Sequence, residues 1–230
     1  MLFRSDDYLE LPPFVHNDIY LELDGKLRAQ YRELERNMVL KMDEEPVLTV
    51  TSAATAGMKL RQFLQGAVYD EERKVIPIHT LKLDALEQIH ESLAGKPNLV
   101  PIAFKSELAA VQKRFGKVPV LAGGVDAAER VRIIERWNNG TIPMLLVHPA
   151  AVSHGVNLQA GGHYITWLAL TWSYELYHQL NGRLRRQGQK HPVVLNRVLF
   201  RRTKDERIAK VLEDKAGNQQ AILDALSSEE

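Results

Sequence analysis

Cysteine is missing from all 230 residues, so the chain has no disulfide framework, no thiol nucleophile and no cysteine-ligated zinc. No run of eighteen apolar residues occurs, which excludes a membrane-spanning helix of ordinary length. The opening MLFRSDDYLELPPF turns acidic at once and lacks the apolar stretch of a secretory signal. Aromatic residues are sparse at 7%, and neither sign of charge dominates, the net being +1. What is present, 45% hydrophobic and 26% charged residues, describes a soluble globular chain able to bury a sizeable core. A cytoplasmic location without a membrane partner is the expectation.

The near-zero net charge hides an uneven distribution. Through Glu45 there are eleven acidic residues against six basic, whereas Arg183 to Lys210 holds ten basic against two acidic. A local excess of that size suggests a face turned toward phosphate. The plainer reading is two solvated surface segments.

Periodicity divides the chain in two. Ile19, Leu21 and Leu23 alternate as in an edge strand. Leu27, Tyr31, Leu34, Met38 and Met42 recur at three- and four-residue steps, which predicts an amphipathic helix over Gly25–Met42. Ser52 is placed to cap a second helix reaching Leu64. GAVYDEERKVIPIH reads as a hairpin or loop, and Lys82–Leu93 as a third helix that Gly95 ends. From Asn98 the texture changes. The apolar runs LVPIAF, VPVLAG, MLLVHP, HYITWLAL and VVLNRVLF alternate with the helical patterns SELAAVQKRFG, DAAERVRIIERWNNG and SYELYHQLNGRLRR. Buried runs separated by helices indicate βαβ units, hence an α/β fold whose parallel sheet is covered on both faces. Three segments follow: a mainly helical extension over 1–80, an α/β lobe over 81–202, and a C-terminal helix and tail over 203–230.

Several familiar sites are absent. No GxxxxGK loop ending in Ser or Thr occurs, and Gly95-Lys96 is followed by Pro97, which offers neither hydroxyl nor backbone donor. Asp43-Glu44-Glu45 resembles an acidic magnesium pair but follows a helix rather than a buried strand, so a solvated linker is the better reading. His148, His154 and His163 are spaced onto different elements, and no metal site is expected. The serines lack an elbow motif, and Gly123-Gly124 does not complete a dinucleotide-binding turn.

The informative stretch runs from Met144 to Gln189. It holds a buried strand, the turn SHGVNL, a second buried strand, and a helix carrying Gln179, Arg183 and Arg186. On that helix their spacing puts all three on one face within about two turns, roughly 11 Å. Crowded guanidiniums repel unless an anion lies between them. The planar fork of arginine suits triphosphate oxygens, and Gln179 could orient a water or support an arginine. Arg185 points elsewhere and reads as a surface residue. Gly155 permits a sharp turn, and Asn157 offers both a donor and an acceptor.

The order SHGVNL … QLNGRLRRQGQ resembles motifs V and VI of superfamily-two helicases, in particular the SWI/SNF-type (Snf-family) DNA-dependent ATPases. NLVPIAFKSEL resembles motif IV, and GGVDAAERVRIIERWNNG resembles the family's Gly-rich turn, arginine-bearing helix and F/W-N-x-G ending. KLDALEQIHESL is similar to the helix that opens the C-terminal lobe, and the LPPF segment to the linking region of phage and bacterial members.

The resemblance implies a RecA-like C-terminal lobe. In it, Arg183 and Arg186 would face an ATP triphosphate, with Arg186 as arginine finger and Gln179 supporting it. Gly155 and Asn157 would couple nucleotide to DNA, and Lys105 and Ser106 would lie near the tracked strand. Trp172 matches a tryptophan of the family and is read as packing the neighbouring helix. His154 departs from the acidic or polar residue usual before Gly155, and the LALTW region lacks the family's acidic residue. ATP and magnesium would be bound only together with an N-terminal RecA-like lobe, the partner that supplies the phosphate loop. The chain alone is therefore expected to hydrolyse ATP at background rate. The alternative is a non-catalytic RecA-like module that binds nucleic acid or protein through its basic C-terminal region.

Overall fold

The computed structural model describes residues 11–42, 45–152 and 155–227. Its centre is a six-stranded, all-parallel sheet made of β1 (Phe14–Leu21), β6 (Asn98–Pro101), β7 (Val120–Leu121), β8 (Met144–Val147), β9 (Tyr164–Trp167) and β10 (Val193–Phe200). The strand order is β1-β10-β9-β6-β8-β7. Three of the four inner strands, β6, β8 and β9, are short and mostly apolar because both sheet faces are covered. On one face lie α3 (Leu81–Ser92) and α4 (Lys105–Phe115), packing Leu86 and Val111 against Val100, Leu146 and Val198. On the other lie α5 (Ala127–Asn138), α6 (Tyr174–Asn181) and α7 (Lys204–Ser227), which bury Ile133, Trp137, Leu180 and Leu212 around Trp167. Among the described residues no helix is long and apolar enough to cross a membrane.

The segment before residue 80 is mixed rather than mainly helical. Its helices α1 (Gly25–Asn37) and α2 (Ala53–Leu64) are joined by two antiparallel ribbons, β2 (Val39–Met42) with β3 (Glu45–Thr49), and β4 (Ala67–Tyr69) with β5 (Val75–Pro77). These build a second core around Tyr31, Leu34, Phe63 and Leu64, into which Phe200 of the sheet inserts. The helix expected to reach Met42 stops at Asn37, where Met38 takes a left-handed conformation with φ 57°. Met38, Leu40 and Met42 fit a strand's two-residue period as well as a helix's four-residue step, and pairing with β3 decides between them. Ser52 caps α2 as expected, accepting from the N–H of Thr55. The DEE cluster is described only at Glu45, which opens β3 and is exposed; Asp43 and Glu44 lie outside the described residues.

The strand read from Ile19 and Leu21 is real and is an outer strand of the main sheet. β1 pairs with β10 along eight positions from Phe14↔Val193 to Leu21↔Phe200. Leu23 lies beyond it, buried in the second core. The junction is fixed by Arg197, whose guanidinium donates twice to Asp18 at 2.6 Å and once to Glu213 at 2.7 Å. Arg201 and Arg202 each reach Glu22 at 3.6 Å, and Arg207 reaches Glu35 at 3.3 Å. Much of the basic excess after Arg183 therefore meets the acidic excess of the first forty-five residues, and it does not form one phosphate-facing surface.

Candidate functional site

The segment leaving β8 runs back to the amino end of β9, where it meets the turn that follows α6 and leads into the amino end of β10, and this meeting gathers Asn157, Arg183 and Arg186.

α6 starts cleanly, with Ser173 accepting from the N–H of Leu176 at 3.2 Å. It ends at Asn181, whose buried Oδ1 accepts from the indole N–H of Trp167 at 2.9 Å. Beyond Gly182 the backbone tightens: Arg183 N–H donates to Leu180 and Leu184 N–H to Asn181, both three residues back. Arg183 and Arg186 thus sit in turns after the helix and not on its face, which corrects the single-helix expectation. The tighter bonding rotates the arginines away from Gln179. Gln179 donates its amide to Glu175 at 2.9 Å, an ordinary pair along the helix, and does not brace an arginine.

The two arginines nonetheless come together. Arg183 is buried, with its Nη1 3.4 Å from the carbonyl oxygen of Val156. Arg186 is half-buried and donates to Asn157 Oδ1 at 2.7 Å. Burial and the neighbouring Arg186 charge both lower the pKa of Arg183, so the pair stands in mutual repulsion. Among the described residues Arg186 makes no ion pair; its partner is a neutral amide.

Gly155 opens the loop with φ 68°, a left-handed conformation that a side chain would strain. Its neighbours Ser153 and His154, the departure noted in the sequence, lie outside the described residues. The far side of this loop is held by α5. Trp137 donates its indole N–H to Leu158 at 2.9 Å, Asn138 donates to the carbonyl of Asn157 at 3.0 Å, and Arg130 donates to Ala151. Gly161 lies so close to Trp137 that a Cβ there would come within 2.3 Å of the indole nitrogen. The WNNG ending therefore supports the turn that presents Asn157.

Sequence reasoning gave no role to Gln189, the last residue of the arginine motif. Its amide donates to the carbonyls of Gln159, Gly162 and Leu184, while its Oε1 accepts from the N–H groups of Lys190 and His191. One side chain thus ties the loop before β9 to the turn carrying both arginines. Its place at the end of the repeated arginine pattern was the available signal. Arg185 donates to the carbonyl of Pro12 at 2.7 Å and covers the ring of Phe14, so it anchors β1 rather than solvating a surface. Trp172, expected to pack, is 42% exposed.

Lys105 and Ser106 begin α4, past the carboxyl end of β6. Lys105 is exposed, and the backbone N–H of Ser106 donates to the Tyr69 hydroxyl at 2.7 Å. No contact joins them to the arginine turn among the described residues. Nor do three His, Asp or Glu side chains converge there as a metal site.

The helicase conserved C-terminal domain family matches residues 81–188. Along 96% of its length the chain is 32% identical to putative protein p41 of Acyrthosiphon pisum secondary endosymbiont phage 1, and it covers 48% of that protein. An uncharacterized ATP-dependent helicase of Mycoplasma pneumoniae is 25% identical over 92% of the chain, which spans 21% of it. The mouse DNA repair and recombination protein RAD54B is 32% identical over 54% of the chain and 14% of its own length. In fold, the C-terminal part of the Fun30 ATPase domain is similar with a TM-score of 0.65 at 16% identity, covering 88% of this chain and 90% of that one. The chain spans about half the length of the phage relative and a fifth of the mycoplasma helicase.

Proposed function

We propose that this chain is the C-terminal lobe of a superfamily-two, Snf2-type helicase and that it supplies the arginines of an ATP site completed by an N-terminal lobe. The observation that carries the reading is the pairing of Arg183 and Arg186 beside Val156 and Asn157, with Arg186 held by an amide instead of a carboxylate. Arg186, whose guanidinium meets a neutral amide and lies beside the charge of Arg183, favours an anion in front of it.

The residues present fit the terminal phosphate end of a nucleotide, since the sequence has no phosphate loop and no acidic metal-ligand cluster occurs among the described residues. A nucleoside triphosphate with magnesium, held by the other lobe, would supply the anionic oxygens. Arg186 would then neutralise charge developing on the terminal phosphoryl group, and Arg183 would reinforce it from its buried position. Asn157 keeps Arg186 aimed while its carbonyl is fixed by Asn138. Closure of the two lobes follows from the arginines' grip, and release of the grip lets them separate.

Past the carboxyl end of β6, Lys105 and the first turn of α4 would contact a DNA backbone through charge and backbone N–H, without reading sequence. Alternating grip on DNA and nucleotide makes the complete protein an ATP-dependent DNA translocase. The test is Arg186→Ala in the complete two-lobed protein, measuring ATP turnover at saturating duplex DNA. A loss of about 10³-fold is expected; near-normal turnover would end the arginine-finger role.

A further inference from the structure

The extension before residue 80 does more than fill space beside the sheet. Three of its contacts converge on the loops at the carboxyl ends of β6 and β9. The Tyr69 hydroxyl accepts from the N–H of Ser106 at 2.7 Å. Arg61 donates to the carbonyl of Leu170 at 2.8 Å, and its guanidinium lies over the ring of Phe104 at 5.6 Å. Tyr69 is itself held by α2, through Gln62 Oε1 accepting from its N–H and through Lys59 donating to its carbonyl.

From inside the lobe, one carboxylate completes the hold. Glu107 is buried, and its Oε2 accepts from the N–H groups of Ala103 at 2.8 Å and Phe104 at 3.3 Å. Its Oε1 has no hydrogen-bond partner among the described residues. The charged groups facing it are Lys82 of α3 and Arg61 of α2, and Lys82 is already committed to Asp205 of α7 at 2.7 Å and to the carbonyl of Leu168. Glu107 therefore faces cations without forming an ion pair. What it does by contact is fix the backbone of residues 103 and 104, next to Lys105.

We propose that Tyr69 and Glu107 are positioning residues that hold residues 103–106 in the conformation that grips nucleic acid, so that the extension governs the lobe's affinity for DNA. This rests on the reading of Lys105 and the start of α4 as a nucleic-acid contact. The hold is graded by protonation. Burial pushes Glu107 up to about 7, and a neutral carboxyl accepts the two N–H groups more weakly than a carboxylate.

The experiment uses the complete two-lobed protein with Tyr69→Phe, Glu107→Gln and Lys105→Ala variants. Amide hydrogen exchange at residues 103, 104 and 106 is measured without DNA between pH 6 and 8. Half-saturating concentration of mixed-sequence duplex DNA and DNA-saturated turnover are measured alongside. Tyr69→Phe should speed exchange at Ser106 and raise half-saturation about three- to tenfold, with saturated turnover little changed. Glu107→Gln should hold the protein at the acid-side level of wild type at every pH, removing an inflection near pH 7 in both exchange and half-saturation. If exchange at these amides responds to neither substitution, the positioning role is overturned, whatever DNA binding does. If exchange responds but half-saturation moves neither for these variants nor for Lys105→Ala, the reading of this loop as a DNA contact fails instead, and the control of affinity with it. If Lys105→Ala raises half-saturation while Tyr69→Phe and Glu107→Gln do not, the contact stands and control by the extension is refuted.

Discussion

Two arginine clusters of the lobe are built differently. At the β1–β10 junction, Arg197 is buried and hydrogen-bonded to both Asp18 and Glu213. Burial opposes its charge, but the hydrogen bonds to the two carboxylates outweigh that and raise its pKa. After α6, Arg183 loses ground to burial and to its neighbour, and Arg186 meets only the amide of Asn157. An arginine that closes a fold is satisfied by the fold. On the proposed reading, Arg186 is aimed by the fold toward a ligand and meets a neutral amide in place of a carboxylate. The contrast, more than the number of basic residues, separates architecture from chemistry in this chain.

The comparison can be broken most sharply at Arg186. Substituting alanine should lower turnover of the complete protein by about 10³-fold while leaving the thermal midpoint of the lobe unmoved. The reverse pattern is expected for Arg197→Ala. It takes the shared cation from Asp18 and Glu213, and should cost about 3 kcal/mol in urea unfolding, without a selective effect on nucleotide turnover. If both substitutions act alike, the distinction between the clusters is false.

A second prediction concerns stability against pH, where Glu107 and His79 oppose each other. Glu107 rises to about 7 from an ordinary value near 4.5, so the folded state holds its proton more tightly. Its contribution therefore favours folding at low pH and is lost as pH climbs from about 4.5 to about 7. His79, packed between the rings of Phe63 and Phe200, is pushed down to about 4 by burial and the Lys82 charge. It favours folding above its unfolded value near 6.5 and loses that contribution as pH falls toward 4. The two slopes have opposite sign over most of one window. Glu107→Gln should therefore gain on wild type by about 3 kcal/mol between pH 4.5 and 7, as read from urea midpoints. A variant stabilised at pH 8 yet weakened in DNA affinity would mark Glu107 as serving position over stability. The smallest effect belongs to Asn157→Ala, which frees Arg186 without removing it; a loss of about fivefold in turnover is expected.

Much of the lobe was legible because its signals are local. Buried runs such as MLLV and VVLNRVLF need no partner to announce a two-sided sheet, and their order matches β6 to β10. The arginine motif was legible as a pattern of residue types. Its geometry was not: Gln179, Arg183 and Arg186 keep helical spacing in the sequence, and only the i−3 bonding beyond Gly182 ends the helix before both arginines. Gln189 and Tyr69 were invisible for a related reason. Their partners lie 5 to 37 residues away in sequence, and no periodicity encodes such contacts.

The amino-acid order alone dictated a parallel α/β lobe, the absence of a phosphate loop, and which residue types could meet an anion, since hydrophobic period and side-chain chemistry are properties of short segments. Tertiary structure decided which charges remain available. The acidic first forty-five residues and the basic C-terminal region could each have faced solvent or ligand. Folding β1 beside β10 placed Asp18 on Arg197 and Glu22 near Arg201 and Arg202, while Arg186 was left with an amide. Charge matching depends on distance in space, and that distance exists only once the sheet has closed.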